Sequence, residues 1–193
     1  MLIGLTGGPA SGKSRVGQWF ADRGWAVICS DRIVHELYEP GQPLPAELAR
    51  EFGTDILTPE GGVDRRRLGR MVFEDESRLK KLNSMAHPRV RARWKQQAAE
   101  SAQQGCPTLV VIPLLYETGA EGEFQQVWVV ACSAAEQKKR LRDRGFDETQ
   151  IARRLSAQWH LQKKIDLARF VIWNDGEWSL TEEQLKEVVN RKS

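Results

Sequence analysis

The sequence of 193 residues predicts an α/β fold, a doubly wound sheet of five parallel strands with one helical insertion. Five short apolar runs alternate with longer helical patterns, and parallel strands need helical crossovers of this kind. A glycine-rich turn joins the first apolar run to a helix, an order that starts many sheets of this class. Residues 34–104 contain no strand pattern and predict the insertion.

The first element is an apolar strand over residues 2–6, followed by a glycine-rich segment over residues 7–14. This segment fits G-x-x-x-x-G-K-[ST], in which Gly7 and Gly12 let successive N–H groups turn inward around phosphate oxygens. The helix that follows directs its positive dipole end at the same anion. Lys13 is expected to reach the β- and γ-phosphates, and the Ser14 hydroxyl to ligate Mg²⁺. We predict that the chain binds a nucleoside triphosphate.

Four further apolar runs predict the remaining strands, and their ranges are 25–29, 108–112, 127–132 and 169–173. Helices are predicted between them. Asp64 is expected to cap one helix, Ser133 and Glu136 to form a capping box, and Ser179 with Glu182 to cap the last helix.

The region around Pro88 predicts two helices rather than one. The first carries Leu79 and Leu82, and the second runs from about residue 89 to 104. His87, directly before the proline, is therefore expected to lie in a loop.

Composition limits the classes of partner and compartment. The net charge of +3 is too mild to predict a nucleic-acid partner, although arginines cluster at 65–67 and basic residues at 138–144. Three cysteines without metal-type spacing fit a reducing compartment. No secretory leader pattern opens the sequence, and no segment has the length needed to span a bilayer. We expect a soluble, cytoplasmic protein with small-molecule partners and no membrane contact.

Candidate site residues follow the ends of the predicted strands, because ligands in such sheets gather at the carboxyl ends. These are the glycine-rich segment, Asp31, residues 113–117, Ser133 and Asn174. Asp31 suits the base that accepts a proton from a hydroxyl during phosphoryl transfer. It equally suits a helix cap, and Ser30 is a second candidate for that cap.

Five segments together closely resemble dephospho-CoA kinase, over nearly the whole chain and in the right order. They are GLTGGPASGKS at 4–14, SDRI at 30–33, LNSMAHP at 82–88, IPLLYE at 112–117 and VIWNDG at 171–176. The phosphate loop alone is generic, whereas the H-P and P-L-L-x-E segments are specific. The resemblance implies phosphorylation of the ribose 3′-hydroxyl of dephospho-CoA by ATP with Mg²⁺.

The resemblance also implies a role for each matched residue. Catalytic roles fall to Asp31 as base, Lys13, Arg140 and Arg144. The implied ATP contacts are Gly8, Pro9, Ala10, Ser11, Gly12, Lys13, Ser14, Arg15, Arg144 and Asn174, with Ser14 also the metal ligand. The implied contacts for the acceptor substrate are Thr6, Asp31, His87, Pro88, Leu114, Leu115 and Glu117.

The implied organisation is one P-loop kinase-type domain. Its core comprises residues 1–33, 105–138 and 168–193, with a CoA-binding helical insertion at about 34–104 and a helical lid at about 139–167. Arg140 and Arg144 match arginines before and within that lid.

The chain departs from the family pattern at several positions. Cys29 stands where an aspartate is usual, and Pro9-Ala10 where Ile-Gly is usual. Arg15 replaces a common Thr, and Trp173 a common Asp. None of these changes removes Lys13, Ser14 or Asp31, so the departures bear on substrate affinity rather than on whether the chain is active.

One alternative remains open, a different small P-loop kinase acting on a nucleoside, a nucleotide or a shikimate-like hydroxyl. Other nucleotide-binding classes are excluded by missing motifs. The sequence has no D-x-x-G with N-K-x-D for a GTP switch, no strand ending in Asp-Glu for a motor, and no G-x-G-x-x-G for a Rossmann domain.

Overall fold

The computed structural model describes residues 1–73 and 75–190 and has five strands and nine α-helices in that part of the chain. Residue 74 of the predicted insertion and residues 191–193 of the predicted core lie outside the described residues. The strands are β1 Leu2–Gly7, β2 Ala26–Cys29, β3 Thr108–Val111, β4 Gln126–Ala131 and β5 Phe170–Trp173. The helices are α1 Lys13–Ala21, α2 Ser30–Leu37, α3 Pro43–Phe52, α4 Arg65–Phe73, α5 Glu76–Gln103, α6 Ala134–Asp143, α7 Glu148–Ser156, α8 Leu161–Leu167 and α9 Trp178–Asn190.

The five strands form one sheet in the order β2-β3-β1-β4-β5, which confirms the predicted doubly wound sheet. The pairs β1–β3, β1–β4 and β4–β5 are parallel, with Leu5 opposite both Val111 and Trp128. The strand order changes direction at β1, because β3 lies on one side of it and β4 on the other. A crevice at the carboxyl end of β1 is where such sheets bind ligands.

Two compact units make up the chain. The sheet unit comprises Met1–Ile28 and the chain from Glu100 onward, and the helical unit comprises Cys29–Ala99.

The sheet unit has a continuous apolar core with an aromatic centre. Phe20 of α1 lies 4.7 Å from Trp25 and 5.6 Å from Trp128, measured between ring centroids. Trp128 is fully buried in β4. Burial of each large apolar side chain contributes about 1.5–3 kcal/mol, so α1 is fixed to the sheet directly behind the glycine-rich turn. The buried members of this core are Ile3, Leu5, Val16, Trp19, Phe20, Leu109, Val111, Trp128, Val130, Ile172, Leu185 and Val188.

The helical unit has a core of its own, built from α3, α4 and the first half of α5. Its buried residues are Leu44, Leu48, Ile56, Val63, Leu68, Val72, Leu82 and Ala86. Glu47 of α3 pairs with Arg89 of α5. The carboxylate of Asp64 accepts from the N–H groups of Arg66 and Arg67, which confirms the predicted cap of α4.

The prediction of two helices around Pro88 was wrong, because α5 runs unbroken through the proline and His87 is helical. The buried residues of α5 recur every four positions on both sides of Pro88: Leu82, Ala86, Val90, Trp94 and Ala98. A proline in a helix interior costs about 3 kcal/mol. Burial of this continuous apolar face outweighs that cost, and the proline itself is exposed.

Two predicted caps also differ from the structure. Ser133 caps α6 by accepting from the Glu136 N–H, but the reciprocal half of the capping box is missing. The Ser133 N–H donates to Asp175 instead, and the Glu136 carboxylate pairs with Arg140. Ser179 lies inside α9, which begins at Trp178. The Ser133 N–H thus has a long-range partner in Asp175, whereas the partner of Glu136 lies one turn further along α6.

None of the helices in the described part of the chain is long and apolar enough to cross a membrane. Cys29, Cys106 and Cys132 are all free thiols.

We expect Pro88→Ala to raise the free energy of unfolding by up to about 3 kcal/mol, measured by urea denaturation. Alanine restores the N–H that a residue inside a helix donates to the carbonyl four positions earlier. Pro43→Ala is the matched control, because Pro43 is exposed at the first position of α3, where the N–H has no helical acceptor. Equal changes in the two variants would contradict this account.

Candidate active site

The glycine-rich segment forms a tight loop between β1 and α1 whose backbone needs glycine at two positions. Gly7 has φ +151° and Gly12, which precedes α1, has φ +104°. A Cβ atom on Gly7 would lie 2.2 Å from the Val130 carbonyl oxygen, and one on Gly12 would lie 2.0 Å from Asn174 Nδ2. Both glycines are therefore required by conformation and by space.

Lys13 holds the two residues at the start of this loop. Its Nζ donates to the carbonyl oxygens of Gly7 at 2.9 Å and Gly8 at 2.8 Å. The ammonium charge is thereby fixed against the loop rather than extended into solvent. Gly8 is buried, and the Gln137 side chain lies directly against it.

Side chains from distant elements hold the next carbonyl oxygens. Gln137 of α6 donates to the Pro9 oxygen at 3.1 Å, and Asn174 Nδ2 donates to the Ser11 oxygen at 2.7 Å. Asn174 Oδ1 accepts from Thr181 at 3.1 Å, so both ends of this buried amide are in use. In this conformation Asn174 braces the loop through Nδ2, while Thr181 holds Oδ1.

Arg140 of α6 is the third brace. Its Nη1 lies 3.3 Å from the Ala10 oxygen, Nη2 donates to the Asn174 oxygen at 2.7 Å, and Nε pairs with Glu136 at 2.8 Å. The guanidinium is thus occupied on every nitrogen by the protein itself. Nη1 and Nη2 each carry a second N–H, so contact with a phosphoryl group, the role predicted for Arg140, stays a prediction.

Backbone donors of the loop remain available. The N–H groups of Ala10, Gly12 and Ser14 have no acceptor among residues 1–73 and 75–190. Unpaired N–H groups at the start of a helix form an anion-binding site. Ser11 is buried, its N–H donates weakly to the Gly8 oxygen at 3.3 Å, and its hydroxyl has no partner.

Four predicted contacts around the loop are exposed or half-exposed. Ser14 is exposed in the first turn of α1, and Pro9 is half-buried. The Arg15 guanidinium lies 4.1 Å from the centre of the Trp178 ring. Arg144, at the end of α6, is exposed, and its guanidinium has no partner among the described residues.

Two predicted substrate contacts are instead fully buried. The Thr6 hydroxyl donates to the Pro113 oxygen at 3.1 Å. Leu115 packs where Gly4 lacks a side chain, since a Cβ on Gly4 would lie 2.7 Å from Leu115 Cδ1. Neither side chain offers surface to a ligand in this conformation. Leu114 is half-buried and keeps some surface.

Glu117 forms a buried ion pair that the sequence did not suggest. Its Oε1 lies 2.8 Å from Nζ of Lys164, which is fully buried in α8, and accepts from the Trp159 N–H at 2.8 Å. Lys164 also donates to the Pro113 oxygen at 2.9 Å. Glu117 Oε2 is buried without a partner in the described residues. No local pattern marks Lys164, because its partners lie far away along the chain.

The helical unit carries the remaining predicted residues. Asp31 is exposed in the first turn of α2, and its carboxylate has no partner in the described part of the chain. Cys29 occupies the cap position of α2 without a side-chain hydrogen bond, so neither Asp31 nor Ser30 is the cap. Pro88 is exposed, and His87 is half-buried. Burial, with the Arg91 charge as the smaller cause, lowers the pKa of His87, which is therefore neutral at pH 7.

The described residues offer the loop neither a reactive thiol at Cys132 nor a cluster of metal ligands. Burial raises the pKa of Cys132, at the end of β4, to about 11, so its thiol stays protonated at neutral pH. Within the described residues, no cluster of three or more His, Cys, Asp or Glu side chains could hold a metal ion. A metal could instead be held mainly by substrate phosphates, with the exposed Ser14 hydroxyl as a protein ligand.

Comparison with known proteins agrees with this loop and sheet. The family model described as Dephospho-CoA kinase matches residues 1–179. A dephospho-CoA kinase of Symbiobacterium thermophilum is 41% identical over 187 residues, which are 96% of this chain and 78% of that protein. A solved structure from Thermus thermophilus has 32% identity and a TM-score of 0.84, covering 100% of this chain and 98% of its own. Dephospho-CoA kinase from Campylobacter jejuni has 25% identity and a TM-score of 0.74, covering 100% and 96%. The chain therefore belongs to the dephospho-CoA kinase family.

Proposed function

We propose that this chain transfers the γ-phosphoryl group of ATP to the ribose 3′-hydroxyl of dephospho-CoA, giving coenzyme A and ADP. The observation that carries the proposal is the family match over residues 1–179, which includes a phosphate loop with unpaired N–H donors. The substrates are small molecules, and no nucleic acid or membrane takes part. Free cysteines fit the reducing cytoplasm in which we propose that the enzyme works.

The phosphate loop binds the triphosphate through backbone N–H groups, the start of α1 and the Lys13 ammonium. These groups are already in position, since the loop carbonyls are held by protein side chains. Preorganised donors lower the barrier because they need no rearrangement when charge moves onto the transferring group. The Ser14 hydroxyl would hold Mg²⁺ together with the phosphates, and the metal would supply neutralisation of phosphate charge there.

Asp31 acts as the base that orients the acceptor hydroxyl and accepts its proton. Two observations support this role over that of a cap: the carboxylate is exposed, and it makes no cap hydrogen bond. The family resemblance supplies the rest of the argument.

The acceptor contacts are His87, Pro88, Leu114 and Glu117, and the helical insertion supplies the larger CoA-binding surface. The buried, unpartnered Oε2 of Glu117 is an acceptor that a substrate donor would satisfy. The neutral imidazole of His87 adds no positive charge at pH 7.

The lid, about residues 139–167, closes over the triphosphate and brings Arg144 to the transferring phosphoryl group. Arg144 suits this role because its guanidinium is exposed and unengaged in the described residues. Arg15 and Trp178 form a flat cationic surface beside the loop that suits the nucleotide.

Substrate choice is tested by coupled ADP release with dephospho-CoA, adenosine, AMP and shikimate offered in parallel. We expect turnover with dephospho-CoA only. Preference for any other acceptor would make the chain a different small P-loop kinase and overturn the proposal.

Lys13→Ala should lower kcat by roughly 10²–10³-fold, the usual cost of one preorganised charge-stabilising donor. The melting temperature should fall only by the loss of the two hydrogen bonds to the Gly7 and Gly8 oxygens, because Lys13 lies outside the apolar core. Lys186→Ala, an exposed change on α9, is the control and should behave as the wild type. Near-normal turnover of Lys13→Ala would refute the role of the loop.

Asp31→Asn should lower kcat by roughly 10²–10⁴-fold, the range for loss of an acid–base group, while the Kd for ATP stays unchanged. The free energy of unfolding should also hold, since no cap is lost. Glu39→Gln, an exposed change in the same unit, controls for loss of negative charge. Ordinary turnover of Asp31→Asn would remove Asp31 from the mechanism.

Arg140→Ala and Arg144→Ala should separate bracing from catalysis. Without Arg140 the loop loses its brace, so we expect a higher KM for ATP and a lower melting temperature. Without Arg144 we expect a lower kcat at an unchanged melting temperature. Steady-state kinetics with thermal melts decides this, and identical profiles of the two variants would contradict the division of roles.

A further inference from the structure

Ala10 is the residue of the phosphate loop whose conformation is least expected. Its φ of +54° lies in the left-handed region, and it is the sole non-glycine residue there in the described part of the chain. A side chain disfavours this conformation. Yet Ala10 is 8% exposed, so its methyl group is buried rather than merely tolerated.

The methyl group of Ala10 packs between two helices of the lid. It shares an apolar cluster with Leu141 of α6 and Ile151 of α7, and Phe146 and Leu155 pack against that cluster. Ile151 is the buried residue of α7. The apolar attachment of α7 therefore depends on this cluster.

One face of α6 is fixed to the same loop. Gln137, Arg140 and Leu141 are spaced so that they share a side of the helix. Gln137 donates to the Pro9 oxygen, Arg140 approaches the Ala10 oxygen, and Leu141 meets the Ala10 methyl group. The loop backbone thus holds α6 directly, whereas α7 reaches the loop through the apolar cluster.

We propose that Ala10 is a positioning residue. It couples the conformation of the phosphate loop to the packing of α7 against the apolar cluster of Ala10, Leu141 and Ile151. The direction of its methyl group is fixed by the backbone angles of the loop, and the N–H groups that would bind phosphate belong to the same backbone. ATP bound to those N–H groups restrains the already braced loop further, and with it the apolar cluster that contains Leu141 and Ile151. The proposal rests on the proposed function, because ATP is the ligand that binds the loop.

The coupling must act in both directions, because linkage between two equilibria is reciprocal. Packing of α7 against the apolar cluster strengthens ATP binding by the same factor by which ATP strengthens that packing. The exposed Arg153 and Arg154 of α7 then hold defined positions while ATP is bound.

The test compares Ala10→Gly with Ile172→Val, which trims one buried methyl group from the sheet core away from the cluster. Two quantities are measured: the Kd for ATP, and the factor by which ATP slows tryptic cleavage at Arg153 and Arg154. In Ala10→Gly we expect that protection factor to fall about fourfold, the factor that corresponds to ~0.8 kcal/mol for one buried methyl group. The melting temperature should not fall in parallel, because glycine relieves the left-handed backbone.

Ile151→Val approaches the same contact from α7 and should also reduce the protection by ATP. In the double variant the two effects should be less than additive, because both remove one contact. Unchanged protection in Ala10→Gly, or simple additivity, would overturn the coupling while leaving the proposed function intact. If the wild-type protein neither bound ATP nor gained protection from it, both proposals would be wrong.

Discussion

The candidate active site depends on one constraint: protein side chains hold the carbonyl oxygens of the phosphate loop. A peptide group directs its N–H opposite to its C=O. Hydrogen bonds to the carbonyls of Pro9 and Ser11 therefore help to fix where the neighbouring N–H groups point. The donors come from α6 and from the turn after β5, and both follow strands of the same parallel sheet. The sheet thus assembles the loop, and the loop in turn offers unpaired donors to an anion.

Local patterns in the sequence were sufficient for the sheet and the loop. All five strands were predicted to within one residue at each end, because each is a short apolar run. Gly7 and Gly12 were recognised because their spacing with Lys13 and Ser14 is a local motif. The structure adds a reason that no local pattern contains: each glycine leaves room for an atom of a distant element, the Val130 oxygen or the Asn174 amide.

The errors share one physical cause, which is that side chains outside each local motif decided the outcome. The proline in α5 was expected to end a helix, but an apolar face that continues on both sides of it outweighs the local preference. Glu136 was expected to close a capping box, but Arg140 competes for its carboxylate. Lys164 was overlooked, because a fully buried lysine gives no signal until Glu117 is brought to it by the fold. The roles of Asp31, His87 and Arg144 stay predictions.

Helix α6 carries Arg140, which braces the phosphate loop, and ends at Arg144, which is proposed to act from the lid. Arg140 and Arg144 are four residues apart, so the residue that braces the loop and the residue offered to the phosphates are separated by about one helical turn. The hydrogen bonds from Arg140 to the loop and to Asn174 therefore also hold the backbone at Arg144. In its proposed role Arg144 would need little independent ordering, because its backbone is already held. The parts that remain able to move are then the Arg144 side chain and α7. Helix α7 packs against the loop through the apolar cluster that contains the Ala10 methyl group.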